Sequence, residues 1–356
     1  MEKLQFLKEI TDLNGIPGQE HAVGRYMKDA VKDVADEIIQ DNLGSVIAKK
    51  VGDADGPRIM VAGHLDEVGF VVHYIDDNGF VKFAPVGGWW GQVMLAQQVQ
   101  ITTRKGLIRG VIGSTPPHIL TPEARQKPVE IKDMYIDLGV ENKDEALATG
   151  IRPGDMITPY IEFHQMANPK YLLAKAWDNR IGTAVAIEAL KQLANELHPN
   201  IYYGVGTVQE EVGCRGAQTS GNLINPDIAI AVDVGLSGGT PGVTAEIQAK
   251  MGKGPILLIQ DAGLIGHKDL RDYIVDLCEE LEIPFQYDVL GGGGTDAATM
   301  HKAHNGAPAI SLCIPSRYIH SHTSMIHQDD YDNTVKLVVE LVKRLDRETV
   351  NKITFA

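Results

Sequence analysis

The chain has 356 residues, 44% of them hydrophobic, which is enough for about two packed domains. Its 33 Lys and Arg residues against 47 Asp and Glu residues give a formal net charge of −14, and no basic block stands out. Nucleic acid and anionic membrane surfaces are therefore excluded as expected partners, because both attract positive charge.

The amino-terminal residues and the cysteines predict a cytoplasmic protein. Residues 1–5 lack the apolar core of a signal peptide, and no later run approaches the roughly 20 apolar residues that span a bilayer. Cys214, Cys278 and Cys313 are odd in number and widely spaced, without a Cys-x-x-Cys pair. We therefore expect reduced, mostly buried thiols rather than a disulfide framework or a thiolate zinc site.

Two changes in the pattern of apolar and turn-forming residues along the chain predict the domain organisation. Up to about residue 66 the chain reads as helix and then strand, with helical spacing of apolar positions over 21–38 and an apolar strand over 58–62. Between 67 and 164, short alternating runs are broken by turn sequences such as Asp77-Asn78-Gly79. This middle segment predicts a small β-rich domain.

The rest of the chain alternates strands and helices. The predicted elements cover 172–176, 181–197, 201–208, 228–232, 268–281, 309–313 and 333–345. Such alternation predicts an α/β fold, in which helices pack on the faces of a sheet. The catalytic domain is expected to comprise residues 1–66 and 165–356, with 67–164 inserted.

Possible metal ligands follow the ends of five predicted strands. They are His64, Asp178, the pair Glu210 and Glu211, Asp233, and His320. In an open α/β sheet, sites lie beyond the carboxyl ends of the strands, so these side chains are expected to converge in one cleft. A single carboxylate after a strand is usually a turn or capping residue, and Asp178 alone could be a helix cap. The repetition over five strands favours a functional site.

The two histidines of this set, together with Asp178, Glu211 and Asp233, predict a site for two divalent ions. Buried carboxylates without a cation are costly or take up protons. Nitrogen and oxygen ligands together suit zinc or cobalt first and manganese next, whereas calcium prefers oxygen alone. The charge of two divalent ions would be balanced by Asp178, Glu211, Asp233 and one bridging hydroxide.

Five motifs contain or neighbour these residues. They are His64-Leu65-Asp66-Glu67-Val68-Gly69, Trp177-Asp178-Asn179-Arg180, Gln209-Glu210-Glu211-Val212-Gly213, Gly292-Gly293-Gly294-Thr295-Asp296-Ala297 and Arg317-Tyr318-Ile319-His320-Ser321. In sequence and order the motifs resemble those of the tetrahedral (TET-type) dinuclear metal aminopeptidases, over almost the whole chain. That family includes glutamyl, leucyl and deblocking aminopeptidases, some of which have carried glucanase labels.

The resemblance implies a fold and a set of roles. The fold would be a zinc-aminopeptidase-like catalytic domain, with a mixed sheet flanked by helices, interrupted by a β-barrel-like (PDZ-like) domain. His64, Asp178 and Asp233 would hold one metal ion. Asp178, as the bridge, would hold the other with Glu211 and His320, and Glu210 would be the general base. The inserted domain would form dimers that assemble into a hollow tetrahedral dodecamer.

Local geometry indicates compatible roles for the neighbouring residues. Adjacent residues of an extended segment point to opposite sides, so Glu210 and Glu211 are expected to differ, one as ligand and one as free base. Asp66 lies two residues after His64 and is expected to fix the His64 imidazole through its carboxylate, with a turn residue as the alternative. His322 is a rival to His320, which the family pattern favours.

The predicted reaction is removal of amino-terminal residues from peptides. Two ions lower the pKa of a shared water toward about 7, and Glu210 passes the water proton to the leaving amine. The same chemistry on another amide, in an amino-acid deacylase or a carboxypeptidase, stays open. A glycosidase is disfavoured because its carboxylates need about 5–10 Å between them. A non-enzymatic oligomeric binding protein is the remaining alternative.

The sequence says less about substrate preference. By resemblance, segment 260–270 is expected to line the specificity pocket, where Leu264 and Ile265 fit a neutral residue and Lys268 an acidic one. We expect a neutral or broad preference, with a glutamyl or aspartyl preference as the alternative. Core or interface packing is expected for Trp89 and Trp90.

Overall fold

The computed structural model describes residues 2–243 and 247–354. The helices of this part are α1 (Lys3–Asp12), α2 (His21–Val31), α3 (Pro122–Arg125), α4 (Lys143–Ala148), α5 (Trp177–Leu193), α6 (Arg215–Ile224), α7 (Lys268–Glu280), α8 (Ala297–Met300), α9 (Gln328–Val342) and α10 (Arg347–Ile353).

The strands alternate with these helices outside the middle segment. They are β1 (Glu37–Gln40), β2 (Val46–Val51), β3 (Arg58–His64), β4 (Gly69–Ile75), β5 (Val81–Val86), β6 (Gln98–Thr103), β7 (Gly106–Gly113), β8 (Tyr135–Asp137), β9 (Met156–Pro159), β10 (His164–Gln165), β11 (Tyr171–Ala174), β12 (Ile201–Thr207), β13 (Ile228–Leu236), β14 (Ile256–Gln260), β15 (Gln286–Val289), β16 (Ala309–Arg317) and β17 (Ser324–His327).

One mixed sheet forms the centre of the larger part of the protein. Its strand order is β1-β2-β12-β3-β13-β16-β17-β11-β10, and β14 pairs with both β15 and β16. Strands β12, β3, β13 and β16 are mutually parallel. Strand β17 is antiparallel to both β16 and β11, so β11 runs in the same direction as the parallel group. The carboxyl ends of five strands therefore meet at one edge.

Helices cover both faces of this sheet. On one face, apolar side chains of α1, α2, α5, α7 and α9 form the main core, and α6 and α8 pack on the other face. Helix α5 is buried nearly all round, as its run of Ile, Ala, Val and Leu residues requires. No helix among the described residues is long and apolar enough to cross a membrane.

Close contact between β3 and α5 depends on a glycine. A Cβ atom on Gly63 would lie 2.2 Å from the carbonyl carbon of Gly182 and 2.2 Å from the nitrogen of Thr183. Only glycine permits this approach. It brings the end of β3 against the first turns of the helix that carries Asp178.

The inserted segment forms a closed barrel. Its strands follow the order β4-β5-β8-β7-β6-β9, all pairs are antiparallel, and all six strands lie between residues 67 and 164. Phe70, Val99, Ile101 and Ile136 belong to a separate apolar core inside it. The predicted fold, a mixed α/β sheet with an inserted barrel, is confirmed.

The predicted helix over 21–38 is too long. Helix α2 ends at Val31, a turn follows, and β1 begins at Glu37. Backbone pairing of β1 with β2, for example Ile38 with Ala48, outweighs the helical spacing of the sequence. Val34 still packs against the main core, which is why the apolar periodicity extended past the end of the helix.

Candidate metal centre

The proposed ligands lie at the carboxyl edge of the five co-directional strands. His64 is the last residue of β3, Glu211 follows β12, and Asp178 lies at the start of α5, the next element after β11 apart from a short connection. His320 follows β16. Asp233 differs from expectation, because β13 does not end at residue 232 but continues through Asp233 to residue 236. The fold thus brings together five side chains that lie far apart in the sequence.

Asp178 lies between the two histidines. One carboxylate oxygen, Oδ1, is 3.1 Å from Nε2 of His64, and the other, Oδ2, is 3.3 Å from Nε2 of His320. Nε2 of His320 is also 3.3 Å from Oε2 of Glu211. Each oxygen of Asp178 therefore faces a different imidazole. The peptide bond between Asp178 and Asn179 is cis.

The two adjacent glutamates have different neighbours. Oε2 of Glu210 lies 3.7 Å from Nε2 of His64, and Oε1 of Glu210 accepts a hydrogen bond from Sγ of Cys214 at 3.4 Å. Glu211 faces His320, and its Oε1 atom is buried without a hydrogen-bond partner among the described residues. The two side chains thus face different groups, although they lie in the loop and turn after β12 and not in the extended segment on which the expectation rested.

Asp66 connects two of the strand ends. Its fully buried carboxylate accepts hydrogen bonds from the backbone N–H groups of Glu210 and Glu211, each at 3.1 Å. Nδ1 of His64 donates to the main-chain carbonyl of Asp66 at 3.0 Å, whereas the Asp66 carboxylate is 3.6 Å from that nitrogen. The main-chain carbonyl of Asp66 thus makes the shorter contact with the imidazole, its carboxylate lies near the same nitrogen, and that carboxylate also orients the two glutamates.

The structure places His320, rather than His322, beside Asp178. His320 and Tyr318 both hold left-handed backbone conformations, with φ of 56° and 63°. Such angles are uncommon for residues with a side chain and concentrate at functional sites. The ring of His322 instead packs edge-on against Trp89, with centroids 5.4 Å apart.

The cluster holds more negative charge than its own residues neutralise. Burial, followed by repulsion from Asp178, raises the pKa of Glu211 and Asp233 well above the usual range. Burial, with the Asp296 charge, raises the pKa of Glu210 to about 8. Burial also opposes ionisation of Asp178, but hydrogen bonds from His320 and His64 hold its pKa below the usual value. Since the folded-state pKa values of three acids are raised, their ionisation destabilises the metal-free fold as pH rises.

Divalent cations would remove this repulsion, and the residues present fit them. Ligand atoms of His64, Asp178 and Glu211 lie within 4.8 Å of one another. The unpartnered Oε1 of Glu211 supplies a further lone pair, which a buried oxygen rarely leaves unused. Asp233 lines the same cleft of about 460 Å³. Mixed imidazole and carboxylate ligands suit zinc, cobalt or manganese.

Comparison with known proteins agrees with this geometry. A family model described as M42 glutamyl aminopeptidase matches residues 44–337. The chain belongs to the M42 peptidase family. Peptidases of this family are metal-dependent, and the chain contains a matching group of donors. The resemblance inferred from the five motifs is thereby confirmed.

Relatives of this M42 peptidase match it over nearly its full length. A lysyl aminopeptidase of Pyrococcus furiosus is 35% identical over 350 residues, 96% of this chain and 97% of that protein. A TET aminopeptidase from a marine sediment archaeon of the Thaumarchaeota has a TM-score of 0.97 and 42% identity, covering 99% and 100% of the two chains. The TET1 peptidase of Pyrococcus horikoshii, which can assemble into a tetrahedron or a large octahedral shell, has a TM-score of 0.86 and 32% identity, with 96% and 99% covered.

Two residues of the M42 site were not singled out as site residues from the sequence. Cys214 lines the cleft and is only partly buried, whereas Cys313, which also lines the cleft, and Cys278 are buried. Asp296 is buried, accepts a hydrogen bond from Thr207, and belongs with Glu210 and Cys214 to a second group of donors within 4.8 Å. In the sequence, the only indication that Cys214 belongs to the site was its position four residues after Glu210. This spacing brings the two side chains together only because the chain turns between them.

Segment 260–270 does not line the cleft among the described residues. Lys268 pairs with Asp272 at the exposed surface of α7, and Ile265 is also exposed. The backbone N–H of Ala262 donates to Gly293, so the segment lies behind the glycine-rich loop that does line the cleft. The expectation that its side chains form the specificity pocket is not met.

Replacing Asp66 tests whether its carboxylate organises the site. Asp66→Asn removes one of two acceptors for the Glu210 and Glu211 N–H groups, so Zn²⁺ affinity measured by calorimetry should fall about 10–100-fold. Asp276→Asn, on the exposed side of α7, is the matched control and should leave the affinity unchanged. Equal Zn²⁺ affinity in Asp66→Asn and the unmodified protein would refute the role given to Asp66.

Proposed function

We propose that this M42 peptidase is a dinuclear metallo-aminopeptidase that releases amino-terminal residues from peptides. The observation that carries the proposal is the position of Asp178, whose two oxygens face two different histidines. A carboxylate so placed is suited to bridging two cations. His64 and Asp233 would complete one metal site, and Glu211 and His320 the other. Zinc or cobalt suits these ligands first and manganese next.

The proposed reaction is hydrolysis of the first peptide bond. When bound, the two ions would lower the pKa of a water toward about 7 and polarise the scissile carbonyl. Glu210 would accept the proton of the attacking water and deliver it to the leaving amine. One Glu210 oxygen is occupied by the Cys214 thiol at 3.4 Å, and the other faces the cluster. This arrangement leaves one oxygen available for proton transfer.

The acidic character of the site favours substrates with a free amino terminus. A free α-amino group can donate hydrogen bonds to carboxylate oxygens of the cleft, which an acylated amine does less well. An amino-acid deacylase would use the same residues on a blocked amine, and this is the alternative we keep. Hydrolysis of amino-blocked substrates in preference to free ones would favour it.

The cleft supports a preference for neutral amino-terminal residues. Apart from the acid and histidine cluster, the described residues that line it are uncharged, including Leu236, Leu290, Ile319 and the glycines 292–294. Once cations neutralise the acid cluster, a charged substrate side chain would lose hydration without gaining a partner of opposite charge there. A neutral first residue is therefore proposed over the glutamyl or aspartyl alternative.

A panel of aminoacyl p-nitroanilides tests this preference. Leucyl and methionyl compounds should show kcat/KM at least about tenfold above the glutamyl and lysyl compounds, because the charged side chains lose hydration in the cleft. N-acetyl-leucyl p-nitroanilide is the blocked control and should not be hydrolysed. Faster release from the glutamyl or lysyl compound would contradict the neutral preference without affecting the aminopeptidase assignment.

Separate replacement of each of the two adjacent glutamates by glutamine tests the mechanism. Glu210→Gln removes a proton acceptor but no ligand, so the metal content should persist while kcat falls about 10²–10⁴-fold. Glu211→Gln replaces a charged ligand by a neutral amide and should lower both the metal content and the rate. Elemental analysis and kinetics measure the two effects.

Glu279→Gln on the exposed side of α7 is the control for both variants and should change neither quantity. Loss of metal in Glu210→Gln with retention in Glu211→Gln would reverse the two roles. Full activity in both variants would mean that the pair is structural and that the proposed active site is wrong.

We also propose that the chain is a homo-oligomer, with dimers formed through the barrel and assembled into a tetrahedral dodecamer. The similarity to peptidases described as TET assemblies supports this proposal. Light scattering should give a mass near twelve times the 38.7 kDa of one chain. Deletion of residues 70–160 should abolish the large assembly. A monomeric full-length protein would contradict the proposal.

A further inference from the structure

An apolar groove of about 940 Å³ adjoins the candidate metal cleft. One wall comes from the barrel segment 88–97, and the other from the loop 318–323 that carries His320. Leu236, Ile319 and His320 line both the groove and the metal cleft. The groove is therefore continuous with the place where bond cleavage is proposed.

The barrel wall of the groove is fixed in place against the metal centre. Nε1 of Trp89 donates to the carbonyl of Gly69 at 3.0 Å, and the Trp89 ring stacks on Phe70 with centroids 4.5 Å apart. A Cβ atom on Gly88 would lie 3.1 Å from Nδ1 of His320, which shows how closely the barrel approaches this histidine. The barrel thus contributes directly to the surroundings of the site.

The surface that faces the groove is aromatic and uncharged. Trp90 and Tyr318 are 61% and 54% exposed, unusually high for large rings. Among the described residues that line the groove there is no Asp, Glu, Lys or Arg. Exposed aromatic rings beside a binding cleft favour contact with an apolar side chain.

The two cavities can be assigned to the two sides of the cleaved bond. An aminopeptidase binds one residue on the amino side of that bond. The smaller cleft contains the acids that would accept hydrogen bonds from the α-amino group of that residue. The remainder of the peptide needs a larger, open path, and the groove supplies one that begins at His320.

We propose that this groove binds the residues that follow the cleaved bond. This proposal rests on the aminopeptidase function proposed above. Trp90 and Tyr318 then select an aromatic or large aliphatic side chain at the second position of the peptide. Acidic and basic side chains at that position are disfavoured because the described lining offers them no opposite charge. Substrate selection would thus depend partly on the inserted barrel.

The test compares tripeptides that share the same first residue. Release of leucine from Leu-Phe-Gly, Leu-Gly-Gly and Leu-Asp-Gly is measured by chromatography with the metal-loaded full-length protein, and leucinamide serves as a substrate with nothing in the groove. In the unmodified protein, kcat/KM for Leu-Phe-Gly should exceed that for Leu-Gly-Gly by about tenfold or more. Leu-Asp-Gly should be the poorest tripeptide.

The variant Trp90→Ala should reduce the ratio of Leu-Phe-Gly to Leu-Gly-Gly to about threefold or less, because the aromatic contact is lost. Leu107→Ala is the matched control: Leu107 is 60% exposed on the same barrel but does not line the groove, so the ratio should not change. Circular dichroism establishes whether each variant is folded. If Trp90→Ala does not fold, the rates of the three tripeptides with the unmodified protein still test the groove assignment.

The outcomes distinguish failure of the groove assignment from failure of the proposed aminopeptidase function. Hydrolysis of leucinamide with equal rates for the phenylalanyl and glycyl tripeptides would overturn the groove assignment and leave the aminopeptidase function standing. An unchanged ratio in Trp90→Ala would also overturn the assignment. No release of leucine from any substrate after metal loading would overturn both.

Discussion

The buried guanidinium group of Arg180 is the contact on which the arrangement of the site depends. Arg180 is fully buried two residues after Asp178, and it donates to the carbonyl of Leu65 at 2.7 Å and to that of Leu13 at 2.9 Å. Leu65 directly follows His64. One side chain therefore joins the end of β3, the start of α5 and the loop after α1, and it sets the separation of two proposed ligands that are distant in sequence.

Among the described residues, the site acids Asp178, Glu210 and Glu211 pair with histidines and not with a lysine or arginine. The Asp66 carboxylate is occupied by the N–H groups of Glu210 and Glu211, so it organises charge without neutralising it. The raised pKa values of the neighbouring acids reflect burial first and mutual repulsion second. A fold that collects acids in this way is more stable when cations occupy the cluster, which links folding to metal binding.

The barrel contributes to the catalytic region as well as forming a separate core. Gly88 lies against His320, and Trp89 is held by Gly69 and Phe70, so the barrel forms one side of the approach to the metal centre. A surface loop placed by a rigid scaffold is a common source of specificity. The insertion can in this way affect both substrate choice and assembly, and the two effects can be measured separately.

The sequence by itself determined the fold class, the inserted barrel and the family, because strand and turn patterns and short motifs are local properties of the chain. It also identified the strand-end residues that the structure brings together, since parallel strands share one carboxyl edge. Only the tertiary structure decided the end of α2, the hydrogen bond of His64 to the main-chain carbonyl of Asp66, the position of 260–270 behind the cleft, and the exposure of Trp90 beside it. These features depend on backbone pairing and packing between distant segments, which the periodicity of a single segment does not record.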